Sequence, residues 1–285
     1  DRHLHRPEHV MEHLDLVQAT DAIEARLRDE FAQGEPVDWM VVCGSGMGRD
    51  LVGEGPGGIG IEIEARVGLA ELGLPAPSVA GHGQSLVWGR VGESRVCLQT
   101  GRIHPYEGHD IRICVAALRA VLAIGAKGVL LTCAVGGLDA ALTPGDLVSL
   151  RDQMNLFGPT PLVGAQFIDC SQIYAPRLRA RVAAAGQAHG ETLAEVVYAH
   201  ARGPQYETPA EVAALRALGG QIVGMSTTYE GISAAAAGVP ACGIGLVTNV
   251  AAAIGLSHEE VQELATAARG RLGTIAGTLL STPPD

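Results

Sequence analysis

The sequence has few aromatic residues, few charged residues and no long uninterrupted apolar segment. Aromatic residues make up 4% of the 285 residues and charged residues 18%, whereas 47% are hydrophobic and 38 are glycine. Apolar stretches such as residues 121–134 are interrupted by Lys127 and by glycine well short of the roughly 18 residues that a membrane span needs. The composition is typical of a compact, glycine-rich enzyme domain, and it argues against a membrane protein.

Positive charge is scarce as well. The chain has 20 Lys and Arg residues against 31 Asp and Glu residues, for a formal net charge of -11, and no basic stripe with interleaved aromatic residues. We therefore expect neither nucleic acid nor an anionic membrane as a partner. The six cysteines form no CxxC pair and mostly lie in apolar runs, which indicates reduced, buried thiols. With no signal-peptide pattern, a cytoplasmic location is expected.

Short apolar runs that end in small or polar residues organise the chain. Val37–Cys43 stops at a glycine loop, Lys127–Thr132 stops before Ala134-Val135-Gly136-Gly137, and Ala241–Val247 stops before Thr248-Asn249. Such runs are typical of buried strands in α/β proteins, where ligands collect at the carboxyl ends. We predict an α/β fold with a single domain and a mixed central β-sheet flanked by helices. The domain is expected over residues 21–285, after a flexible N-terminal segment over residues 1–20 that leads into the first helix.

Several segments have the start and stop signals of helices. Residues 111–123 are apolar all round and end near Gly125, as expected of a helix wedged between layers. Thr208-Pro209-Ala210-Glu211 has an N-cap threonine, a proline at the first helical position and a capping glutamate. The segment 227–230, Thr-Thr-Tyr-Glu, and the segment 257–260, Ser-His-Glu-Glu, fit the same capping pattern. Each start brings exposed backbone N–H groups close to a candidate site residue.

The run from Gly101 to His109 (GRIHPYEGH) has a mixture of residues that packing does not require. Arg102 and His104 are one residue apart, so both can point the same way from an extended segment. A fixed cation and an imidazole together suit an oxyanion such as phosphate. The sequence therefore predicts a small-anion site in this run.

Further polar loops suit a phosphate and a flat heterocycle. The turn at residues 44–48, GSGMG, lacks the spacing of a dinucleotide fingerprint. Its backbone N–H groups and the Ser45 hydroxyl suit a phosphate. A purely structural turn is the alternative. Glu207 precedes the helix start at Thr208, and with Tyr206 it could grip a hydrogen-bond-donating base while the ring stacks. A solvated loop acid is the alternative. Met225 and Asn249 each follow an apolar run as well. Met225 would otherwise be interpreted as a core residue and Asn249 as a turn residue.

Taken in order, these runs resemble the trimeric purine nucleoside phosphorylases. The resemblance extends over nearly the whole chain through the runs GSGMG, GRIHPYEGH, GPQYETPAE, VGMST and TN, together with GHG at residues 81–83, GDL at 145–147 and HEEV at 258–261. It implies phosphorolysis of purine (deoxy)ribonucleosides to the free base and (deoxy)ribose 1-phosphate. Phosphate would be a co-substrate, and neither a metal nor an organic cofactor is expected.

The resemblance also implies a role for each matching residue. The phosphate-binding positions are Ser45, Arg102, His104, Ala134 through its backbone, and Ser226. The ribose-binding positions are Tyr106, Met225 and His258, with His258 at the 5′-hydroxyl. The base-binding positions are Tyr206, Glu207 and Asn249, and the catalytic positions are Glu207, Asn249 and His104.

The two base-binding polar residues favour 6-oxopurines such as those of inosine and guanosine. A carboxylate at Glu207 accepts a hydrogen bond from N1–H, which adenine lacks, and Asn249 can stabilise negative charge at N7 and O6. A methylthioadenosine (or methylthioinosine) phosphorylase-like enzyme is the alternative within the fold, but that branch carries an aspartate near Asn249. A second alternative is that the protein is not an enzyme but a diverged, non-catalytic nucleoside binder.

Three departures from the family pattern accompany these matches, and those at Cys133 and Tyr229 motivate that last alternative. Cys133 stands in a Thr-Cys-Ala-Val-Gly-Gly run where the family usually reads Thr-Asn-Ala-Ala-Gly-Gly. Gln153 replaces the histidine of Asp-His-Ile-Asn, and Tyr229 replaces the proline of Val-Pro-Glu. The resemblance further implies a homotrimer in which a phenylalanine of the neighbouring subunit covers the sugar. Phe157 and Phe167 are both candidates for that residue.

Overall fold

The computed structural model describes residues 21–29, 36–44, 47–53, 57–78, 83–156, 158–253 and 258–284. The predicted N-terminal segment, residues 1–20, lies outside these ranges. Within these ranges the nine strands are β1 Trp39–Val42, β2 Glu62–Gly68, β3 Ser85–Val91, β4 Ser94–Gln99, β5 Gly128–Gly137, β6 Leu147–Met154, β7 Ala194–His200, β8 Ile222–Gly224 and β9 Ala241–Val250. The α-helices are α1 at residues 21–27, α2 Gly48–Leu51, α3 Ile111–Cys114, α4 Ala116–Ala123, α5 Pro176–Ala188, α6 Pro209–Ala217, α7 Thr228–Ala236 and α8 His258–Leu280.

The described strands form one mixed sheet that partly closes on itself, in agreement with the predicted fold class. The strand order is β2-β3-β4-β1-β5-β8-β7-β6-β9, and β9 pairs again with β5. The strands β5, β8, β7, β6 and β9 therefore form a closed ring, while β1, β4, β3 and β2 extend from it as an open wing. The pairs β1–β4, β1–β5 and β5–β9 are parallel, so the carboxyl ends of these four strands lie at the same edge.

Hydrophobic clusters cover both faces of the open wing. In β1, Met40 belongs to one cluster and Trp39 to the other, as expected because successive side chains of a strand point to opposite faces. The first cluster includes Val121 of α4, and the second includes Leu272 of α8. The central strands are thus sandwiched between helices, which explains why they appear in the sequence as continuous apolar runs. Among the described residues, no helix is long and apolar enough to cross a membrane.

Two strand boundaries predicted from the sequence are wrong. Strand β5 continues beyond Thr132 to Gly137, and β9 continues beyond Val247 to Val250. The Ala-Val-Gly-Gly and Thr-Asn segments are therefore part of the sheet, because ring closure gives both strands a partner along their whole length. The predicted helix 111–123 is also interrupted, since Val115 leaves helical geometry between α3 and α4.

The predicted start of α6 is confirmed, whereas the predicted capping at α7 is wrong. The Thr208 hydroxyl accepts a hydrogen bond from the Glu211 N–H, and the Glu211 carboxylate accepts one from the Thr208 N–H, which closes the capping box. At α7 the N-cap residue Thr227 has φ 73° and makes no side-chain capping bond. Ser257, the predicted N-cap of the segment 257–260, lies outside the described residues.

Candidate active site

A cavity of about 320 Å³ opens where the ring meets the carboxyl end of β4. Nine of the residues predicted from the sequence line it, and they are Arg102, His104, Tyr106, Ala134, Tyr206, Glu207, Met225, Ser226 and Asn249. The other two predicted residues cannot be compared: Ser45 lies outside the described residues, and so does the side chain of His258 at the start of α8. Segments far apart in the sequence therefore meet at one site.

Arg102 lines the cavity and is held by a buried ion pair. Its Nε donates to the Glu230 carboxylate at 2.7 and 3.0 Å, and its Nη1 donates to the Thr132 carbonyl at 2.6 Å. Both side chains are buried, with 1% of Arg102 and 2% of Glu230 exposed. Burial by itself lowers the pKa of Arg102, but the charge and hydrogen bonds of Glu230 outweigh it and raise the net pKa. Arg102 is therefore permanently charged, and its hydrogen bonds fix the orientation of the guanidinium.

The sequence pattern assigned Glu230 to helix capping, and the structure gives it a different partner. It is the third residue of α7, the usual position of a capping glutamate, yet its carboxylate binds Arg102 instead. A buried guanidinium needs a counter-charge because an isolated charge is costly to remove from water. That requirement was the signal in the sequence that could have identified Glu230.

Gly44, which follows β1, contacts Thr132, the residue whose carbonyl accepts from Arg102. Gly44 N–H donates to Thr132 Oγ1 at 3.0 Å. A Cβ at Gly44 would lie 2.8 Å from the Thr132 carbonyl oxygen, so only glycine allows this approach. Gly44 is thereby anchored against the residue whose carbonyl accepts from Arg102.

His104 follows Arg102 and is fixed by the carboxylate of Glu107. Glu107 Oε1 accepts from the backbone N–H of His104 at 2.7 Å and lies 3.3 Å from its Nδ1, while Oε2 accepts two hydrogen bonds from Ser78 at 2.6 Å each. Burial is the main reason that the pKa of His104 is lowered from its ordinary value. The neutral ring with its proton on Nδ1 leaves Nε2 as a hydrogen-bond acceptor. The ring stacks on Tyr106 at 4.6 Å between centroids.

Glu207 and Tyr206 line the same cavity from the loop before α6. Tyr206 is 36% exposed, so its ring is available to a ligand. Burial raises the pKa of Glu207, because desolvation disfavours its charged form, and the nearby Glu211 acts in the same direction. A ligand N–H that donates to this carboxylate would stabilise the charged form.

A β-bulge sets the orientation of Asn249. Val135 of β5 pairs with Val247 of β9, but Gly136 pairs with Asn249, so Thr248 is the extra residue. As a result, both Thr248 and Asn249 line the cavity. The Thr248 hydroxyl lies 3.0 Å from Asn249 Oδ1 and 3.3 Å from the Val135 carbonyl, and Asn249 Nδ2 donates to the Val250 carbonyl at 3.3 Å; the contacts of Oδ1 and Nδ2 direct the amide. A Cβ at Gly136 would lie 3.2 Å from Asn249 Nδ2, so the glycine leaves room for that group.

Met225 and Ser226 follow β8 and complete the wall. The Ser226 N–H donates to the Tyr198 hydroxyl at 3.1 Å, and the Ser226 hydroxyl lies 3.0 Å from that of Thr227. The positive φ of Thr227 is rare for a β-branched residue, and such strain is concentrated at functional sites. Thr227, Thr248 and Gly136 also shape this region, and none of them is among the site residues predicted from the sequence.

The three departures from the family pattern lie in a well-packed region behind the cavity. Burial raises the pKa of Cys133 to about 11, so it is a neutral thiol. Gln153 donates to the Thr228 carbonyl at 3.0 Å and accepts from the Tyr174 hydroxyl at 2.9 Å. Tyr229 is fully buried, with its ring edge-to-face to His200 at 6.1 Å between centroids. These three residues therefore support the start of α7, which carries Glu230.

The same cavity is lined by a fixed cation, a carboxylate and an amide. The cation and the small hydroxyl groups suit a phosphate, and the carboxylate and amide suit the donors and acceptors of a heterocycle. In the described part of the chain, no group of three histidine, cysteine or acidic residues could hold a metal ion. A ligand that spans the cavity would need an anionic part and a heterocyclic part.

Comparisons with known proteins agree with this geometry. The sequence model of the phosphorylase superfamily matches residues 57–281. Purine nucleoside phosphorylase of Mycobacterium leprae is 42% identical over 248 residues, 86% of this chain and 89% of that protein. The same enzyme of Mycobacterium tuberculosis is 45% identical over 216 residues, 74% of this chain and 79% of that protein.

A solved structure supports the fold independently. The crystal structure of Schistosoma mansoni purine nucleoside phosphorylase in complex with inosine superposes with a TM-score of 0.79. The two sequences are 24% identical, and the match covers 94% of this chain and 98% of that one. The predicted single α/β domain with a mixed sheet is therefore confirmed at the level of fold.

Proposed function

The chain belongs to the purine nucleoside phosphorylases of the phosphorylase superfamily, and on that premise we propose that it cleaves 6-oxopurine (deoxy)ribonucleosides with phosphate. The products are the free base and (deoxy)ribose 1-phosphate. One observation carries the proposal: a buried, permanently charged arginine and a half-buried carboxylate line the same cavity, together with an amide. These groups match the two ends of a phosphate and nucleoside pair.

Phosphate binds at the Arg102 end. Arg102 supplies the charge, Ser45, Ser226 and the backbone of Ala134 supply hydrogen bonds, and His104 Nε2 accepts a hydrogen bond from a protonated phosphate oxygen. The ion pair with Glu230 supports this assignment, because it fixes the guanidinium before phosphate arrives. The prearranged cation reduces the entropy cost of binding the anion.

The purine binds at the Glu207 end. When the bond between C1′ and N9 breaks, its electron pair goes to the purine, and negative charge develops on the ring. Asn249 stabilises that charge at N7 and O6, and its orientation by Thr248 supports this role. The Glu207 carboxylate accepts from N1–H, and Tyr206 stacks on the base. Inosine and guanosine are therefore the proposed substrates, rather than adenosine.

The sugar lies between the two ends, against Tyr106 and Met225, with His258 at its 5′-hydroxyl. As positive charge develops at C1′, the phosphate stabilises it, and one phosphate oxygen then forms the new bond from the opposite face. The reaction is proposed to need neither a metal nor an organic cofactor, because Arg102 and phosphate supply the charges that it requires.

We further propose that the protein works as a homotrimer in the cytoplasm. Phe167 supports the assembly, since 96% of it is exposed on the loop after β6, which also carries the exposed Leu156. An exposed phenylalanine on this loop could cover the sugar site of a neighbouring copy. Phe157, the other candidate, lies outside the described residues. The six free cysteines are in keeping with a reducing compartment.

Two other functions are less well supported. A methylthioadenosine phosphorylase-like enzyme would need a group at Asn249 suited to a 6-amino purine, and the amide here is oriented by Thr248 instead. A non-catalytic nucleoside binder was motivated by Cys133 and Tyr229, but these residues, like Gln153, pack behind the cavity and leave its polar groups in place.

Incubation with inosine, with and without phosphate, separates these functions. We expect hypoxanthine to appear only when phosphate is present, and we expect guanosine to behave in the same way. Tight binding of inosine with no release of base would favour the binder. Preferential cleavage of methylthioadenosine would favour the rival enzyme.

Asn249→Asp is expected to shift the preference from inosine toward adenosine. A carboxyl group at this position can accept a hydrogen bond from the 6-amino group through one oxygen and, when protonated, donate to N7 through the other, whereas the oriented amide presents a donor to the 6-position. The ratio of kcat/KM for adenosine to that for inosine should rise by about tenfold or more. An unchanged ratio would remove Asn249 from the base site. Thr248→Val is the companion variant, because it removes only the hydroxyl that orients the amide.

A further inference from the structure

A second cavity, of about 350 Å³, adjoins the first at Tyr106 and Met225. These two residues line both cavities, and they are the ones assigned to the sugar under the proposed function. A sugar held against them therefore has the second cavity beside it. His200, at the carboxyl end of β7, is a buried polar residue in its lining.

The hydrogen bonds around His200 determine which ring nitrogen carries the proton. Asn155 Nδ2 donates to the Pro159 carbonyl at 3.0 Å, so the Asn155 atom that faces Thr228 is Oδ1, an acceptor. The Thr228 hydroxyl donates its only proton to that oxygen at 2.9 Å. His200 Nδ1, 3.2 Å from the same hydroxyl, must therefore be the donor.

Nε2 of His200 is consequently left as an acceptor. Burial lowers the pKa of His200 to about 4, opposed by a hydrogen bond to the Ser226 backbone, so the ring is neutral near pH 7. Its Cδ2, the ring carbon bonded to Nε2, would lie 2.5 Å from a Cβ at Gly158, another residue of the lining. Glycine at this position keeps that edge of the ring uncovered.

We propose that His200 is a specificity-determining residue that accepts a hydrogen bond from a hydroxyl group of the substrate's sugar through Nε2. The inference rests on the proposed function, and it adds a sugar contact that the sequence patterns did not indicate. A hydroxyl fits better than an anion: Arg202 in the lining would attract an anion, but the Nε2 lone pair would repel it. Because the ring proton of His200 is fixed on Nδ1, Nε2 prefers a ligand group that donates a hydrogen bond.

Two substitutions separate this role from a structural one. His200→Asn retains a side-chain group at the position of Nδ1, so it can keep the Thr228 contact, but it has nothing at the position of Nε2. His200→Gln carries its amide one bond further and can retain an acceptor near Nε2. The substrates are inosine and its 2′-, 3′- and 5′-deoxy analogues, measured with phosphate for each protein.

We expect His200→Asn to lower kcat/KM for inosine by about threefold to tenfold, as for the loss of one neutral hydrogen bond. For the analogue that lacks the contacted hydroxyl, kcat/KM should be the same for His200→Asn and the unsubstituted protein. For inosine, His200→Gln should have a higher kcat/KM than His200→Asn. Equal changes on all four substrates, or no change on any, would overturn the inference while leaving phosphorolysis intact. If the unsubstituted protein released no base from inosine, both the inference and the proposed function would fail.

Discussion

Replacing Arg102 by methionine is expected to remove phosphorolysis and to destabilise the fold at the same time. The variant deletes the proposed phosphate cation and leaves the Glu230 carboxylate buried with its main partner gone. Breaking a buried ion pair in this way typically costs about 3–5 kcal/mol in the free energy of unfolding. Loss of a preorganised charge at the reacting group should lower kcat/KM by about a hundredfold to a thousandfold.

The double variant Arg102→Met with Glu230→Met separates these two effects. Two apolar side chains of similar length remove the unpaired charge, so most of the unfolding free energy should return. Activity should not return, because the cation is still absent. Urea unfolding and the dependence of rate on phosphate concentration measure the two properties. A double variant with normal phosphate affinity would show that Arg102 does not bind phosphate.

Glu207→Gln is expected to lower kcat/KM for inosine by about tenfold to a thousandfold. The amide keeps the size of the side chain but replaces a charged hydrogen bond to N1–H with a weaker neutral one. Steady-state kinetics with inosine at saturating phosphate give the ratio directly. The stability of the fold should change little, because this carboxylate is half-buried and not part of the α6 cap.

Glu211→Gln is the matched control. Glu211 lies four residues further along the chain, and its carboxylate accepts from Thr208 at 2.7 and 2.9 Å to cap α6. Glutamine can serve in the same capping box, so this variant should keep the wild-type rate. If Glu207→Gln also turned over inosine at the wild-type rate, Glu207 would not be a base-binding residue.

The sequence predicted the residues of the cavity better than the strands that hold them. Arg102, His104 and Glu207 stand out because their side chains have no role in packing where they occur. The segment Ala134–Gly137 was interpreted as a loop because alanine and glycine have low strand propensity. Pairing of β5 with both β8 and β9 overrides that local preference.

The partners that act across the fold could not be read from local patterns. Glu230 lies 128 residues from Arg102, and its spacing from Thr227 fits a helix cap equally well. The bulge at Thr248 depends on the pairing register between β5 and β9, which a single sequence does not specify. The proton position on His200 depends on Asn155 and Thr228, whose contacts arise only when β6, β7 and α7 are brought together.

The central claim is that phosphate, and not water, captures the sugar at C1′. Phosphorus NMR of a reaction with inosine tests it directly, because inorganic phosphate and a sugar 1-phosphate give separate resonances. We expect one equivalent of ribose 1-phosphate for each equivalent of hypoxanthine released. Release of hypoxanthine with free ribose and unchanged phosphate would contradict the account.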